Sequence, residues 1–578
     1  MLSSPFDLST IPHPLRGLVR FIGRLSVMEK WYLQWRAKGG GDVAAFLVYV
    51  LECIKCRHVI LNPKTASDIP TKGPLVIVAN HPLGAVEGMI LAHHFLQHRP
   101  DLKVVTNKLL LRFPEFENLF IGVDILGRQP NNRQALQALN KHLGNDGAVL
   151  IFPAGTVGNL NWRTGCVEDA SWHTTAARLA LRHNAWCLPV HIEGRNNTFF
   201  YISGWINKRI RTLLLPRAML KCSSHQINIS LGKPLKLVEV GVSSPQAATD
   251  YLRVSTELVG EEVTSRAAPE LASQAELLSV DLPSSLDHLR EYELLRQGER
   301  AIFCVPYNAL GSLQYYLAAE RERTFRAAGE GTGRAVDIDE FDSHYWHLIA
   351  WDHAAHRLIG AYRAFKVSDA IASDGDKRLY SRSLFHYPDS FLTTFSGAIE
   401  VGRSFVTEPY QRDPLALDLL WQGLGALMLQ HPDCHTFIGC VSISGSYTPL
   451  VRGLLHDTLL AGYRIDTGLH QQVIPSRKFI TNRSLLSHDL IASLSNVSAI
   501  NKLLGHAGLD VRVPVLIRHY LALNGRFIDF SLNRSFNDSL DGLILVDLRK
   551  APDRYLKRYL GESGKQIFQQ NWSINNVA

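Results

Sequence analysis

Four consecutive apolar residues, Leu75-Val76-Ile77-Val78, run into the turn Asn80-His81-Pro82-Leu83-Gly84 and then into the helical run Met89-Ile90-Leu91-Ala92. A short unbroken apolar strand that gives way to a helix belongs in the buried sheet of an α/β layer fold. The turn also carries chemistry. His81 stands in it, and Glu87 follows six positions on. Six residues of continuous helix rotate through about 600°, which would set the two side chains on different faces. They meet only if His81 lies in the turn and Glu87 in the first helical turn, with Pro82 and Gly84 shaping the bend. A carboxylate so placed holds the imidazole in one tautomer and stabilises its cation. The other ring nitrogen is then left to take a proton from an attacking hydroxyl. A plain helix start with a satisfied histidine is the competing reading.

Three further blocks follow in order: Gly122-Val123-Asp124-Ile125-Leu126-Gly127-Arg128, Phe152-Pro153-Ala154-Gly155-Thr156 and the strand-like Cys187-Leu188-Pro189-Val190. With the His81 block they resemble the glycerolipid acyltransferase superfamily over roughly residues 70 to 235, ending at Leu231-Gly232-Lys233-Pro234. The order of the blocks makes the signal specific; any one alone is weak. Two features depart from the superfamily pattern. Glu87 stands one residue later than its Asp, and Ala154 replaces the Glu of glycerol-phosphate acyltransferases. Both look like the branch described as hemolysin-like or lyso-ornithine-lipid acyltransferases. The resemblance implies His81 and Glu87 as catalytic residues. It implies Asn80, Gly84, Arg128, Phe152, Pro153 and Gly155 at the substrate, with Arg128 available to an anionic group.

The chain has 578 residues, too many for one core, so two or more domains are expected. Its 46% hydrophobic and 20% charged residues describe a folded globular protein. No apolar run reaches the roughly 20 residues of a membrane span. The best candidate, Val43 to Leu51, is short and is followed by Glu52 and Lys55. The N-terminus carries no basic-then-apolar leader with a small-residue cleavage site. A peripheral protein on the cytoplasmic face of the bacterial inner membrane is expected. Eight scattered cysteines suit a reducing compartment, and Cys53-x-x-Cys56 lacks a second ligand pair, so no metal is expected.

Charge is unevenly divided. Residues 1–250 hold 28 Lys and Arg against 16 Asp and Glu, a net +12; residues 251–578 hold 33 against 37, a net −4. No nucleic-acid motif accompanies the basic half. An anionic membrane surface and an acidic acyl carrier protein are the expected partners, with no nucleic acid. Two stretches, Leu15 to Trp35 and Lys208 to Lys221, mix basic and apolar residues as interfacial elements do, and as ordinary amphipathic helices also do.

The expected organisation is a helical, membrane-associating lead-in over 1–65, an O-acyltransferase-like domain over 66–245, a helix and linker over 246–290, and a second domain over 291–578. In the second domain Leu358 to Arg363 reads as a turn into an edge strand, and Ala398 to Val406 and Thr436 to Ser442 read as strands about a helix over Leu415–Leu429. Gly329-Glu330-Gly331-Thr332-Gly333 reads as a flexible loop rather than a phosphate loop. E-x-G-R at Glu400 to Arg403, G-C-x-S at Gly439 to Ser442 and P-x-L-I-R-x-Y-L at Pro514 to Leu521 resemble the carrier-protein-dependent branch of the GNAT N-acyltransferases. The fold expected is therefore α/β in two domains: a glycerolipid acyltransferase-like layer domain, then a GNAT-like α+β domain.

That resemblance implies Glu400 as the base for a substrate amine, with Arg321, Asp339, Asp342 and Arg403 positioning a zwitterionic amino acid. Structural ion pairs between strands are the alternative for each. Coenzyme A users cradle the pyrophosphate in a Gly-rich loop. Here that loop, Thr407 to Asp413, has no glycine. An acyl thioester of a carrier protein is the expected donor, with acyl-CoA as the other option and no tightly bound cofactor. The whole chain resembles bifunctional ornithine lipid synthases. The second domain would acylate ornithine on its amine with a 3-hydroxyacyl chain, and the first would acylate that 3-hydroxyl. Two alternatives stay open: a lysophosphatidate-type O-acyltransferase with a non-catalytic GNAT-like regulatory domain, and a membrane-associated binding protein.

Overall fold

The computed structural model describes residues 5–7, 13–62, 68–124, 132–162, 165–206, 208–221, 226–242, 244–261, 286–465, 468–480 and 486–572. The chain divides into two compact units. Unit 1 takes in residues 1–261 together with 483–494 and 498–512; unit 2 takes in 262–482, 495–497 and 513–578.

Unit 1 begins with helices α1 (His13–Gly23), α2 (Leu25–Ala37) and α3 (Val43–Cys53). It is built on the sheet strands β1 (Arg57–Ile60), β2 (Leu75–Ala79), β3 (Lys103–Asn107), β4 (Phe120–Val123), β5 (Ala148–Ile151), β8 (Trp186–Glu193), β9 (Gln226–Leu231) and β10 (Leu235–Lys236). A small pair, β6 (Asn159–Leu160) and β7 (Val167–Glu168), lies apart from it. The sheet order is β1-β9-β8-β2-β5-β3-β4, with β10 on β8. From β8 to β4 all pairings are parallel. All five residues of β2 are buried, which is why its sequence shows no alternation. Helices α4 (Ala85–Leu96), α5 (Arg133–Gly144), α6 (Thr175–Arg182), α7 (Thr198–Ile206), α8 (Lys208–Met219) and α9 (Pro245–Val259) accompany the sheet.

Two expected boundaries shift. The lead-in over 1–65 contains β1, which pairs in parallel with β9, and α3, which buries Phe46, Leu47 and Leu51 in the core. Because β1 is an exposed edge strand, its sequence carries no apolar alternation. The helix placed with the linker over 246–290 is α9, and it belongs to unit 1. It buries Tyr251, Leu252, Val254 and Leu258, and Ser244 caps its start. The small, polar, Pro-containing stretch Glu262 to Ser285 that suggests the linker lies outside the described residues.

Unit 2 is a sheet of eight strands: β11 (Glu293–Gln297), β12 (Arg300–Pro306), β13 (Trp346–Asp352), β14 (Arg357–Lys366), β16 (Ala398–Val406), β17 (Thr436–Ile443), β19 (Arg526–Asn533) and β20 (Ser539–Asp547). A separate short pair joins β15 (Phe385–His386) to β18 (Ile474–Pro475). The order is β11-β12-β13-β14-β16-β17-β20-β19. β14 was expected at an edge; it lies inside the sheet, paired on both sides, and eight of its ten residues are buried. The turn before it gives the edge-like appearance.

Within this sheet β16 and β17 pair in parallel, joined through the helix Pro414–Gln430. Their ladder runs only from Ala398–Thr436 to Glu400–Ile438, although both strands continue beyond it. β16 also bulges against β14, and within the bulge Arg403 takes φ +48. Just past the last paired residue, the Val401 carbonyl closes on Gly439. A Cβ on Gly439 would sit 2.0 Å from that oxygen. The obstacle is backbone, so it cannot swing aside. Gly439→Ala is expected to cost about 1–3 kcal/mol and to lower the unfolding temperature in a thermal melt. An unchanged melt would show that β16 and β17 do not approach this closely.

Candidate active sites

In unit 1 the carboxyl ends of three adjacent parallel strands, β5, β2 and β8, carry one constellation, as expected for an open α/β sheet. The side chain of Asn80, at the end of β2, bonds both ways with the Ile192 backbone of β8. Nδ2 donates to the carbonyl at 2.9 Å, and Oδ1 accepts from the amide at 2.7 Å. Asn80 is buried, and its amide is spent on this tie rather than turned to a ligand.

The turn after β2 is fixed from several sides. Asn196 Nδ2 donates to the carbonyls of Pro82 at 3.3 Å and Leu83 at 3.0 Å. The His81 carbonyl accepts from Gly158 N at 2.8 Å, and the His81 amide donates to Asp169 Oδ1 at 3.1 Å. Asp169 is held in turn by Trp172 Nε1 at 2.9 Å. Gly84 takes φ +115, which favours glycine; the atom a Cβ would meet, Leu215 Cδ2 at 2.6 Å, is the tip of a side chain that can swing aside.

This turn brings His81 and Glu87 together. His81 Nδ1 stands 3.1 Å from Glu87 Oε1. The same oxygen accepts from the amides of Leu83 at 2.9 Å and Gly84 at 2.6 Å, the orphan donors of the start of α4. Glu87 is fully buried, whereas the His81 side chain keeps 17% exposure. Nδ1 is therefore the ring nitrogen that lies beside the carboxylate, within reach of it but without a hydrogen bond of good geometry, and Nε2 is the one free for a substrate. Phe152 from the end of β5 lies against the imidazole, ring centres 4.5 Å apart. Pro153 is buried and accepts from His173 N at 2.9 Å, and Gly155 takes φ +63 in the same loop. Arg128 lies outside the described residues. Asp169, Asn196, Trp172 and Gly158 were not foreseen. Asp169, Asn196 and Gly158 reach the turn from far along the chain, with Trp172 behind Asp169, and no spacing marks them.

The arrangement is that of a general base with a carboxylate behind it. It needs no serine or cysteine intermediate, because a substrate hydroxyl can attack a thioester directly. Glu87→Gln keeps an oxygen for the two amides and removes the charge. It is expected to lower hydroxyl-acylation kcat by about 100-fold or more with little change in thermal stability, measured as thioester turnover by purified protein. Wild-type turnover in this variant would remove Glu87 from the catalytic machinery.

In unit 2 the residues expected to position an amino acid are drawn together, but they bond one another. Arg321 donates to Asp342 through Nη1 at 3.0 Å and Nη2 at 2.9 Å, and its Nε lies 3.0 Å from Asp337. Arg403 pairs with Asp337 at 3.1 Å and Asp339 at 3.3 Å. Arg363, which the sequence did not single out, completes the group with Asp339 at 2.6 Å and Asp342 at 3.2 Å. Burial alone would raise the Asp342 carboxyl, but the Arg321 and Arg363 guanidiniums hold it well below the usual carboxylate range. The same balance, with Arg363 and Arg403, lowers Asp339. Three arginines and three aspartates make a buried, formally neutral network.

Glu400 is buried and carries three donors. Oε1 accepts from Ser381 N at 3.0 Å; Oε2 accepts from Tyr380 N at 2.8 Å and from the Tyr345 hydroxyl. The Gly-rich stretch from Gly329 to Gly333 is also tied down. The buried Glu322 carboxylate accepts from the amides of Thr332 at 3.0 Å and Gly333 at 2.9 Å and from the Thr332 hydroxyl at 2.8 Å. The sequence read this loop as flexible because its carboxylate partner lies in the preceding helix, outside the motif.

Comparison with known proteins agrees with this division. A family model described as Acyltransferase matches residues 46–264, and one described as Acetyltransferase (GNAT) domain matches residues 321–422. The chain is 33% identical over 304 residues to a glycine N(alpha)-acyltransferase of Phocaeicola vulgatus, a match covering 49% of this chain and 91% of that protein. To a glycine N(alpha)-acyltransferase of Bacteroides thetaiotaomicron it is 33% identical over 177 residues, 29% of this chain and 52% of that protein, about half its length. A lyso-glycine lipid O-acyltransferase of Phocaeicola vulgatus is 26% identical over 190 residues, 32% of this chain and 67% of that protein.

Proposed function

The chain belongs to the acyltransferase family that includes the glycine N(alpha)-acyltransferase of Phocaeicola vulgatus, and from that premise we propose that it makes a diacylated amino-acid lipid in two steps. Unit 2 acylates the amine of ornithine with a 3-hydroxyacyl chain. Unit 1 then acylates the 3-hydroxyl of that product. The observation that carries the reading is the pairing, in one chain, of a hydroxyl-activating His81–Glu87 site with a GNAT domain. The first product of the one is a hydroxyl substrate for the other.

In unit 1 the 3-hydroxyl gives its proton to His81 Nε2 as its oxygen attacks the thioester. Glu87 holds Nδ1 and offsets the imidazolium charge that forms. The proton then passes to the departing thiolate. In unit 2 the donor is read as a carrier-protein thioester. Asp413 already caps the first turn of the helix Pro414–Gln430, accepting from Leu415 N at 2.9 Å and pairing with Arg300 at 2.7 Å. A nucleotide pyrophosphate would need that helix start bare, and it would meet a carboxylate instead. The net −4 of residues 251–578 favours a cationic amino acid such as ornithine. Glycine is the second reading, favoured by the names of the N-acyltransferase relatives.

Among the described residues no helix is long and apolar enough to cross a membrane. The protein is read as a peripheral one that meets lipid through α1, which exposes Leu15, Leu18 and Phe21 beside Arg16 and Arg24.

Expression in a host without amino-acid lipids, fed labelled ornithine or labelled glycine, tests the scheme by lipid mass spectrometry. Label from ornithine in a diacylated lipid is expected, and label from glycine alone would establish the second reading. His81→Ala is expected to cut the O-acylation rate by about 10²–10⁴-fold and to leave the N-acylated lyso-lipid to accumulate. Diacylated lipid at the normal rate in that variant would overturn the base assignment.

A further inference from the structure

Where β16 and β17 part, two more carboxylates lie inside unit 2, and the Arg–Asp network uses neither. Glu330, in the loop after the helix Leu313–Ala327, accepts a hydrogen bond from Ser442 Oγ of β17 at 2.9 Å. Asp541 of β20 stands opposite Ser442 in the sheet. It is held by Asn533 Nδ2 at 2.9 Å and Ser539 Oγ at 2.7 Å. Glu330 and Asp541 are both buried, and among the described residues neither is in an ion pair. Ser442 is only partly buried, the most accessible of the three, and so the one placed to meet a substrate.

The electrostatics set Glu330 apart. Burial and the nearby Asp541 charge push its carboxyl up to about 8, while the Ser442 hydrogen bond and the Arg403 guanidinium pull the other way. Asp541 is itself raised by burial, against Asn533, Ser539 and Arg403. Burial and the Glu330 charge both raise the Tyr447 hydroxyl. A group that gains and loses a proton near neutrality suits proton transfer. Glu400, by contrast, spends its oxygens on Tyr345, Tyr380 and Ser381.

We propose that Ser442 and Glu330 form the proton relay for amine acylation in unit 2, Ser442 touching the amine and Glu330 acting through it as a positioning residue. The proposal rests on the reading of unit 2 as an N-acyltransferase. The free amine attacks the thioester carbonyl; the N–C bond forms and the C–S bond breaks. One amine proton passes to Ser442 Oγ as the hydroxyl proton moves to Glu330. The proton then returns along the same path to the departing thiolate, and the pair ends as it began. Glu400 is left as the anchor that fixes Tyr345 and the Tyr380–Ser381 backbone beside the site.

The test uses the purified full-length chain with a 3-hydroxyacyl-carrier-protein thioester and either ornithine or glycine, followed by thiol release and product mass. In the wild type the N-acylation rate rises with pH through about 8, as Glu330 loses its proton. Glu330→Gln is expected to lower kcat about 100-fold, to leave the KM for the amino acid nearly unchanged, and to remove the Glu330 part of that rise, leaving only the part set by deprotonation of the amino acid's own amine. Ser442→Ala is expected to show the same fall. O-acylation of a supplied N-(3-hydroxyacyl) amino acid stays at the wild-type rate in both variants. A wild-type rate and pH profile in Glu330→Gln overturns the relay. If that variant does not fold, a wild-type rate and profile in Ser442→Ala overturns it equally. A wild-type chain that N-acylates neither amino acid overturns the reading of unit 2 and the relay with it.

Discussion

The side-chain amide of Asn80 bonds both ways with the backbone of Ile192, and the sheet edge that carries His81 and Glu87 depends on that tie. It locks the end of β2 to the end of β8, so the next residue, His81, leaves the sheet in one direction. The two amides of Leu83 and Gly84 then find Glu87, and the carboxylate they orient is the one that meets the imidazole. A helix start normally leaves such donors to solvent or a cap. Here the first helical turn supplies its own acceptor, and that acceptor doubles as the partner of the base. Structure and chemistry therefore share one carboxylate.

The two units treat buried charge differently. In unit 1 one carboxylate is buried beside a histidine that keeps contact with solvent. In unit 2 three arginines and three aspartates neutralise one another, and removing any one member would strand its partners at about 3–5 kcal/mol. Such a network holds β14 and β16 to the helix Leu313–Ala327 and to the segment Asp337–Asp342. The strained backbone of Arg403 is held in place by the pairs its side chain makes. The charged residues of unit 2 that stand out in the sequence are thus paired among themselves, and Glu330 and Asp541 lie beside them outside those pairs.

Much of this was legible in the sequence where contacts are local. The strand Leu75–Ala79 is buried on both faces, so its apolar run is unbroken and the turn after it is unmistakable. His81 and Glu87 could be paired on paper because only a few residues separate them. Asp169 and Asn196 could not, because they reach the turn through folding and no motif spacing marks them. The ion network was half legible: Arg321, Asp339, Asp342 and Arg403 stood out by type, but Arg363 lay in a strand that looked like an edge. Its burial follows from the strand order, which no local pattern reveals. α9 was grouped with the linker because it adjoins the small, polar stretch that follows it; the residues it buries, Tyr251, Leu252, Val254 and Leu258, tie it to unit 1.

The account turns on which ring nitrogen of His81 faces the carboxylate. Nitrogen-15 spectra of histidine-labelled protein at neutral pH, with His81→Ala to assign the signal, read this directly. With Nδ1 the ring nitrogen beside Glu87, the account predicts the proton on Nδ1 and a bare Nε2. A His81 signal with the proton on Nε2 and a bare Nδ1 would contradict it, because no nitrogen would then be left to accept a proton from substrate.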